Sequence, residues 1–399
     1  MQELVHRVCI VGAGPAGLVI GHILHQSGIP FVILERQDRA DLRAFTKAGL
    51  IEQRVVEAQK PFGLADPILN RGARSSIAEF RLDGTAFILD YGRLTPDGKG
   101  HFIYAQNELV ADWAEALLAA GGDIQFGARV VSVAKTGDGA ELKVTFAPDG
   151  KPVVLRAQIV VGCDGAGSIV ARESGFPTLE VAHPFRWLAL IAAAGPPALR
   201  TAYGLHRRGF SAFMRRGPSS TRYYLEVPKE ATHDEWPEDR IWQELELRLA
   251  AAGHASPVCG SLLERDFLDL RVRVRQPMQK GNVFLAGDAA HMVTPAGGKG
   301  MNMAILDAIE LALAICECCG TSADEARLGR YSDARMPEIW RYEEFSNWML
   351  GLLHPSHTLR GDGSLAAQEF AFGLRRARLD RMVSDTQFAR WFAQAFAGT

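Results

Sequence analysis

The chain lacks the surplus of basic residues that nucleic-acid binding needs. Lys and Arg number 44 against 46 Asp and Glu, a net charge of −2, and no long basic run occurs. With no basic surplus to neutralise phosphates, no nucleic-acid partner is expected. No apolar run is long enough to span a membrane. The best, Trp187 to Ala198, is short and holds Pro196 and Pro197, so no membrane partner is expected. No signal peptide precedes the first strand, and the six cysteines (Cys9, Cys163, Cys259, Cys316, Cys318, Cys319) form no disulfide framework. A cytoplasmic protein with free thiols is the expectation. Metal-ligand spacing is also missing. Cys316, Cys318 and Cys319 fall on a predicted helix with no second pair, and Pro355 breaks the face that His354 and His357 would share. No GxSxG elbow or nucleophilic cysteine motif is present.

The 399 residues are 47 % hydrophobic and 23 % charged, an ordinary globular composition too long for one core, so two or three domains are expected. Glycine is in excess, with 40 residues, about a tenth of the chain against a usual ~7 %. Its first cluster, Gly12-x-Gly14-x-x-Gly17, sits between the apolar run Val8–Val11 and a helical pattern through Ile20, Ile23 and Leu24. A second apolar run, Phe31 to Leu34, ends on Glu35. Strand, glycine turn, helix, strand and acid make a dinucleotide-binding βαβ unit. The first glycine turns the chain, the second admits a pyrophosphate, the third packs helix on strand, and the acid takes ribose hydroxyls. The helix N-terminus supplies N–H groups for phosphate. This motif alone does not separate FAD from NAD.

Further along, Asn107–Ala120 reads as a helix. Val130–Lys135, Leu142–Phe146 and Val153–Leu155 read as an antiparallel meander, and Ile159–Val161 as a separate buried strand. Phe185 to Leu270 has the alternation of an antiparallel sheet, Glu238–Ala252 and Met303–Cys316 read as helices, and the chain from Asp324 onward is helical in texture. Two more glycine–acid turns stand at strand ends: Gly162-Cys163-Asp164-Gly165, and Gly287-Asp288 followed by Pro295 and Gly297-Gly298-Lys299-Gly300.

Three such signatures in this order resemble the class A flavoprotein aromatic hydroxylases. Glu35-Arg36-Gln37, Pro184-Phe185-x-Trp187, Arg222-Tyr223-Tyr224 and Gly287-Asp288-Ala289-Ala290-His291 are most similar to the branch that hydroxylates 4-hydroxybenzoate. The resemblance runs from about Val8 to His354. It implies an α/β fold: a Rossmann-like FAD-binding domain in three layers (ββα), an inserted antiparallel-sheet substrate domain and C-terminal helices. The boundaries expected are 1–175 and 274–399 for the FAD-binding parts and 176–273 for the substrate sheet.

Residue roles follow from the resemblance alone. FAD is expected at Gly12, Gly14, Ala16, Gly17, Glu35, Arg36, Lys47, Gln106, Asp164, Arg222, Asp288, Gly300, Met301 and Asn302. Arg216 and Tyr224 match a pair gripping the substrate carboxylate, a task a guanidinium fork suits. Tyr203 and Pro295 match residues against the reacting phenol, and both are expected to be catalytic. Met214 stands where a serine also bonds the carboxylate. The C-terminal tyrosine of a proton relay has no counterpart, with Thr386-Gln387 in that region. Asp38, Asp41, Phe45 and Lys47 depart from the neutral and arginine positions of the nucleotide-reading segment, which favours NADH over NADPH.

The implied activity is ortho-hydroxylation of a small aromatic carboxylic acid by NAD(P)H and O₂ through a flavin hydroperoxide. Alternatives are an aminobenzoate hydroxylase, a decarboxylating flavin halogenase of the same fold, and a non-enzymatic flavin sensor. A homodimer is left open.

Overall fold

The computed structural model describes residues 3–44, 49–135, 142–147, 153–320, 325–354 and 364–398. Lys47 and Phe45, expected near the nucleotide, lie outside the described residues. Two eight-stranded sheets and a three-stranded one carry the architecture. The first sheet runs Gln279–Lys280, Val283–Leu285, Val153–Gly162, Glu3–Val11, Phe31–Leu34, Ile124–Gln125. Neighbours are parallel from Val283–Leu285 through to Ile124–Gln125. Strands such as Phe31–Leu34 are buried at every position, as a sheet covered on both faces requires.

The segments read as Val153–Leu155 and Ile159–Val161 form one continuous strand. Arg156 and Gln158 interrupt its apolar run without ending it. Its first half pairs antiparallel with Leu142–Ala147 and its second half parallel with Val283–Leu285. One strand thus feeds both the meander and the central sheet, which gives the layered ββα arrangement.

Helix Pro15–Gln26 packs against helix Gly300–Cys319, so the first glycine loop and the last lie side by side although 280-odd residues separate them.

The second sheet runs His291–Met292, Leu262–Arg275, Thr178–Ala192, Thr221–Pro228, Gly209–Arg215, Thr201–His206, Ile77–Leu82, Thr85–Asp90. This corrects the expected boundaries. The hairpin Ile77–Asp90 lies within 1–175 in sequence but pairs with Thr201–His206 in the substrate sheet. His291–Met292, from the third segment, joins the opposite edge. Edge strands leave unpaired N–H and C=O groups, and these two segments complete the sheet at both edges.

The C-terminal helices Tyr331–Leu353, Leu365–Ser384 and Thr386–Ala397 bring Met349, Leu379, Phe392 and Phe396 into one apolar cluster with Tyr203, Phe210 and Tyr224. No helix among the described residues is long and apolar enough to cross a membrane.

Candidate active site

Two cavities lie between the sheets, of about 600 and 420 Å³. Gly14, Pro15, Gln106, Cys163 and Gly165 line both, so they join at the first glycine loop.

The three glycines of that loop differ in surroundings. Gly12 has φ +103°, and a Cβ there would lie 2.4 Å from the Cys163 carbonyl oxygen. The first turn therefore packs directly on the second. A Cβ on Gly17 would meet the Gly12 carbonyl oxygen at 2.0 Å, whereas Gly14 has nothing nearer than 3.9 Å. The middle glycine faces open space, the room a pyrophosphate needs.

Helices Pro15–Gln26 and Gly300–Cys319 both begin without a side-chain cap. Their first-turn N–H groups are left for an anion or a polar ring edge. Gly300 and Met301 line the larger cavity, as do Ala16 and Asp288. An open glycine cradle and two uncapped helix ends across one cavity are the features that would hold FAD.

Glu35 lines the smaller cavity with Arg36. Its carboxylate accepts from Ala13 N at 2.7 Å and Gln37 N at 2.9 Å. It therefore braces the glycine loop and keeps one lone pair per oxygen for a ribose hydroxyl.

Asp164 lines the same cavity, but its carboxylate caps the helix Ile169–Glu173. It accepts from Ser168 Oγ at 2.6 Å and Ile169 N at 2.7 Å. Burial raises its pKa against those bonds.

Asn302 is a correction. Its Oδ1 accepts from Glu52 N at 2.9 Å and its Nδ2 donates to the Leu50 and Gly298 carbonyls at 3.0 Å. Both amide protons are spent and Oδ1 is held by Glu52, so the side chain pins the Leu50–Glu52 segment to the helix. What Asn302 can offer the flavin side is its first-turn backbone N–H.

The larger cavity also gathers Tyr203, Met214, Arg216, Arg222, Tyr224 and Pro295, brought from the second sheet and the turn before helix Gly300–Cys319. Arg216 Nη2 donates to Asn107 Oδ1 at 3.2 Å, while its Nη1 is buried without a partner. Burial, then Arg222, pulls its pKa below the ordinary arginine value. Arg222 lies 3.6 Å from Glu264, whose pKa burial raises. Two guanidinium groups therefore face one carboxylate at this end of the cavity. Tyr203 stacks on Phe80 with centroids 5.1 Å apart, and burial, Tyr91 and Tyr224 together push its pKa well up.

Several cavity residues escaped the sequence reading. Lys299 is fully buried, and its Nζ donates to Glu52 Oε1 and to the Phe396 carbonyl, both at 2.7 Å. The available signal was a lone cation among three glycines. Tyr91 donates to the Ser75 carbonyl at 2.7 Å and sits 3.0 Å from His101 Nδ1. Burial and Lys299 pull the His101 pKa down to about 3. Thr386 and Gln387 are exposed and do not line the cavity. The C-terminal residue that does is Phe396, one helix length further on, because only the apolar face of Thr386–Ala397 turns inward. The six cysteines are free, and no metal-binding cluster occurs among the described residues.

These features define a flavin-binding enzyme with an aromatic-lined substrate chamber, and comparison with known proteins gives the same class. The family described as "FAD binding domain" matches residues 6–346. The chain is 31 % identical over 401 residues to p-hydroxybenzoate hydroxylase of Acinetobacter baylyi, covering 100 % of this chain and 96 % of that one. It is 28 % identical to the 3-(3-hydroxy-phenyl)propionate/3-hydroxycinnamic acid hydroxylase of a Mycobacterium species. That match covers 88 % of this chain and 61 % of the relative. Among solved structures it resembles p-nitrophenol 4-monooxygenase of Pseudomonas putida with TM-score 0.79 at 21 % identity, over 99 % and 98 % of the two chains. The chain belongs to the FAD-dependent aromatic monooxygenases.

Proposed function

We propose that the chain hydroxylates a small aromatic carboxylic acid of the 4-hydroxybenzoate type, ortho to its electron-donating substituent, with NAD(P)H as reductant and O₂ as oxidant. The observation that carries this reading is Arg216, a buried guanidinium on the cavity wall with one nitrogen unpartnered. Leaving a charged donor unsatisfied in a protein interior is costly, and a substrate carboxylate satisfies it. Tyr224, with its ring 5.8 Å from the Arg222 guanidinium, stands as the second group of that grip. Met214, on the same wall, adds an apolar contact.

Gly12, Gly14, Glu35 and the N–H groups of Gly300 and Met301 are the residues that would hold FAD, which supplies the oxygen chemistry when bound. The protein's own tasks are to orient the ring and exclude water. Tyr203, Tyr91, Phe210 and Phe396 line the cavity and remove solvent from around the ring. Tyr203 would meet the ring substituent and the Pro295 carbonyl the ring itself, both from the cavity wall. The positive end of helix Gly300–Cys319 would stabilise negative charge on a bound flavin.

Asp38 and Asp41, with Arg43 tied to Glu108 at 3.2 Å and Glu115 at 2.8 Å, leave few cations for a 2′-phosphate, so NADH is the preferred reductant.

An aminobenzoate is the second reading, favoured by Phe396, which brings no hydroxyl to the cavity. The Tyr91–His101 pair favours a phenol instead. The test is NADH oxidation with product mass across hydroxy- and aminobenzoates. A gain of one oxygen on 4-hydroxybenzoate supports the first reading, the same gain on 4-aminobenzoate alone the second, and no acid-stimulated turnover overturns both.

A further inference from the structure

The substrate sheet and the C-terminal helices meet at His354, the residue that ends helix Tyr331–Leu353. Its ring is fully buried and stacks on Phe185 with centroids 4.1 Å apart. Trp187 Nε1 donates to His354 Nε2 at 3.0 Å, and His354 Nδ1 lies 2.8 Å from Glu226 Oε2. An indole N–H can only donate, so Nε2 must be the bare, accepting nitrogen. The ring proton then sits on Nδ1 and is donated to Glu226. Glu226 Oε2 also accepts from Phe210 N at 2.8 Å, which fixes the carboxylate. Trp187 and Glu226 are direct cross-strand partners, and His354 bridges that pair from the helical side.

Trp187 is a wall of the larger cavity. Its ring lies 4.8 Å from Phe210 and 5.0 Å from Tyr224, both of which also line the cavity. An indole whose N–H lost its acceptor would be left with a buried unsatisfied donor, and the ring would turn to find another. We infer that His354 is a positioning residue. With Glu226 fixing its tautomer, it holds the Trp187 indole in the orientation that shapes the aromatic end of the substrate cavity. The inference rests on the reading of that cavity as the site of an aromatic acid.

The test pairs steady-state kinetics with the indole ¹⁵N–H resonances of the FAD-loaded enzyme, Trp187 being assigned from its loss in W187F. His354→Leu keeps the stack apolar but removes both hydrogen bonds. KM for 4-hydroxybenzoate should rise about tenfold, the scale of one lost buried hydrogen bond, with kcat changed far less. The Trp187 resonance should move upfield. His354→Gln, which restores an acceptor and a donor, should return both toward wild type. In the W187F background, where no indole is left to hold, His354→Leu should leave KM unchanged.

An equal KM rise in both backgrounds would mark general loosening and overturn the inference. So would an unmoved Trp187 resonance. If the leucine variant does not fold, His354→Phe, which keeps a stacked ring but accepts no hydrogen bond, decides: a similar KM rise with an upfield Trp187 resonance supports the inference, and an unchanged KM or resonance overturns it. Absence of any acid-dependent turnover in the wild type brings down the substrate reading instead, while the resonance shift still reports on the His354–Trp187 bond.

Discussion

The flavin side of the molecule and the substrate side are built from different materials. At the glycine turns the recognising groups are backbone: N–H donors of two uncapped helices, and a loop whose first and third glycines admit no Cβ. On the substrate side they are side chains, and each comes from a different part of the chain. Arg216, Tyr203, Trp187, Tyr91 and Phe396 span most of the chain. Backbone recognition is tied to local sequence spacing, because a turn needs its glycines at fixed offsets. Side-chain recognition is tied only to the finished packing. The first side should therefore break all at once and the second by degrees.

Gly17→Ala probes the backbone side and should have the largest effect. Its Cβ would sit 2.0 Å from the Gly12 carbonyl oxygen, so helix and loop must separate. FAD affinity should fall more than 100-fold, about 3 kcal/mol or more, read as loss of bound flavin after gel filtration. Retention of full flavin content would show that the cradle tolerates the shift.

Asp307 tests the support beneath the third turn, where it accepts from Gly287 N at 3.1 Å and Arg335 Nε at 2.8 Å. Burial pushes its carboxyl up, but His291 and Arg335 outweigh that and hold it at about 2. A depressed carboxyl stabilises the fold at pH values above its unfolded pKa, and the contribution is lost as pH falls through the folded value. Asp307→Asn should cost roughly 2 kcal/mol near neutrality in urea unfolding. The gap to wild type should narrow between about pH 4 and pH 2. A gap independent of pH would assign the loss to packing.

The smallest effect concerns the reductant. NADH should exceed NADPH in kcat/KM by about fivefold, roughly 1 kcal/mol, because Asp38 and Asp41 repel a 2′-phosphate. A preference for NADPH would refute this.

The same division explains what the sequence revealed. Gly12, Gly14, Gly17, Glu35, Asp164 and Asp288 were legible because strand, turn and acid recur at set spacing, and the structure brings these turns around two joined cavities. The residues between the turns were harder to read. Ile77–Asp90 gave no local sign that it would leave the first segment for the substrate sheet, since strand pairing is decided by partners far away in sequence. Asn302 stood at the right helix end, yet its amide was claimed by Leu50, Glu52 and Gly298, which only the packed structure reveals. Nothing local marked Phe396 or Trp187 as cavity residues: both belong to an apolar cluster, and their inner faces also bound the cavity. Lys299 was visible as a cation in a glycine loop, whereas its partner Glu52, some 250 residues away, was not.

The central claim is that the substrate side holds a carboxylate through Arg216. The most direct measurement compares 4-hydroxybenzoate with its uncharged amide, in wild type and in Arg216→Ala. The wild type should favour the acid by about 100-fold in kcat/KM, the scale of a buried charge-assisted pair, and the variant should lose that preference with its flavin content intact. Equal use of acid and amide by the wild type, or an acid preference that survives the substitution, would contradict the account.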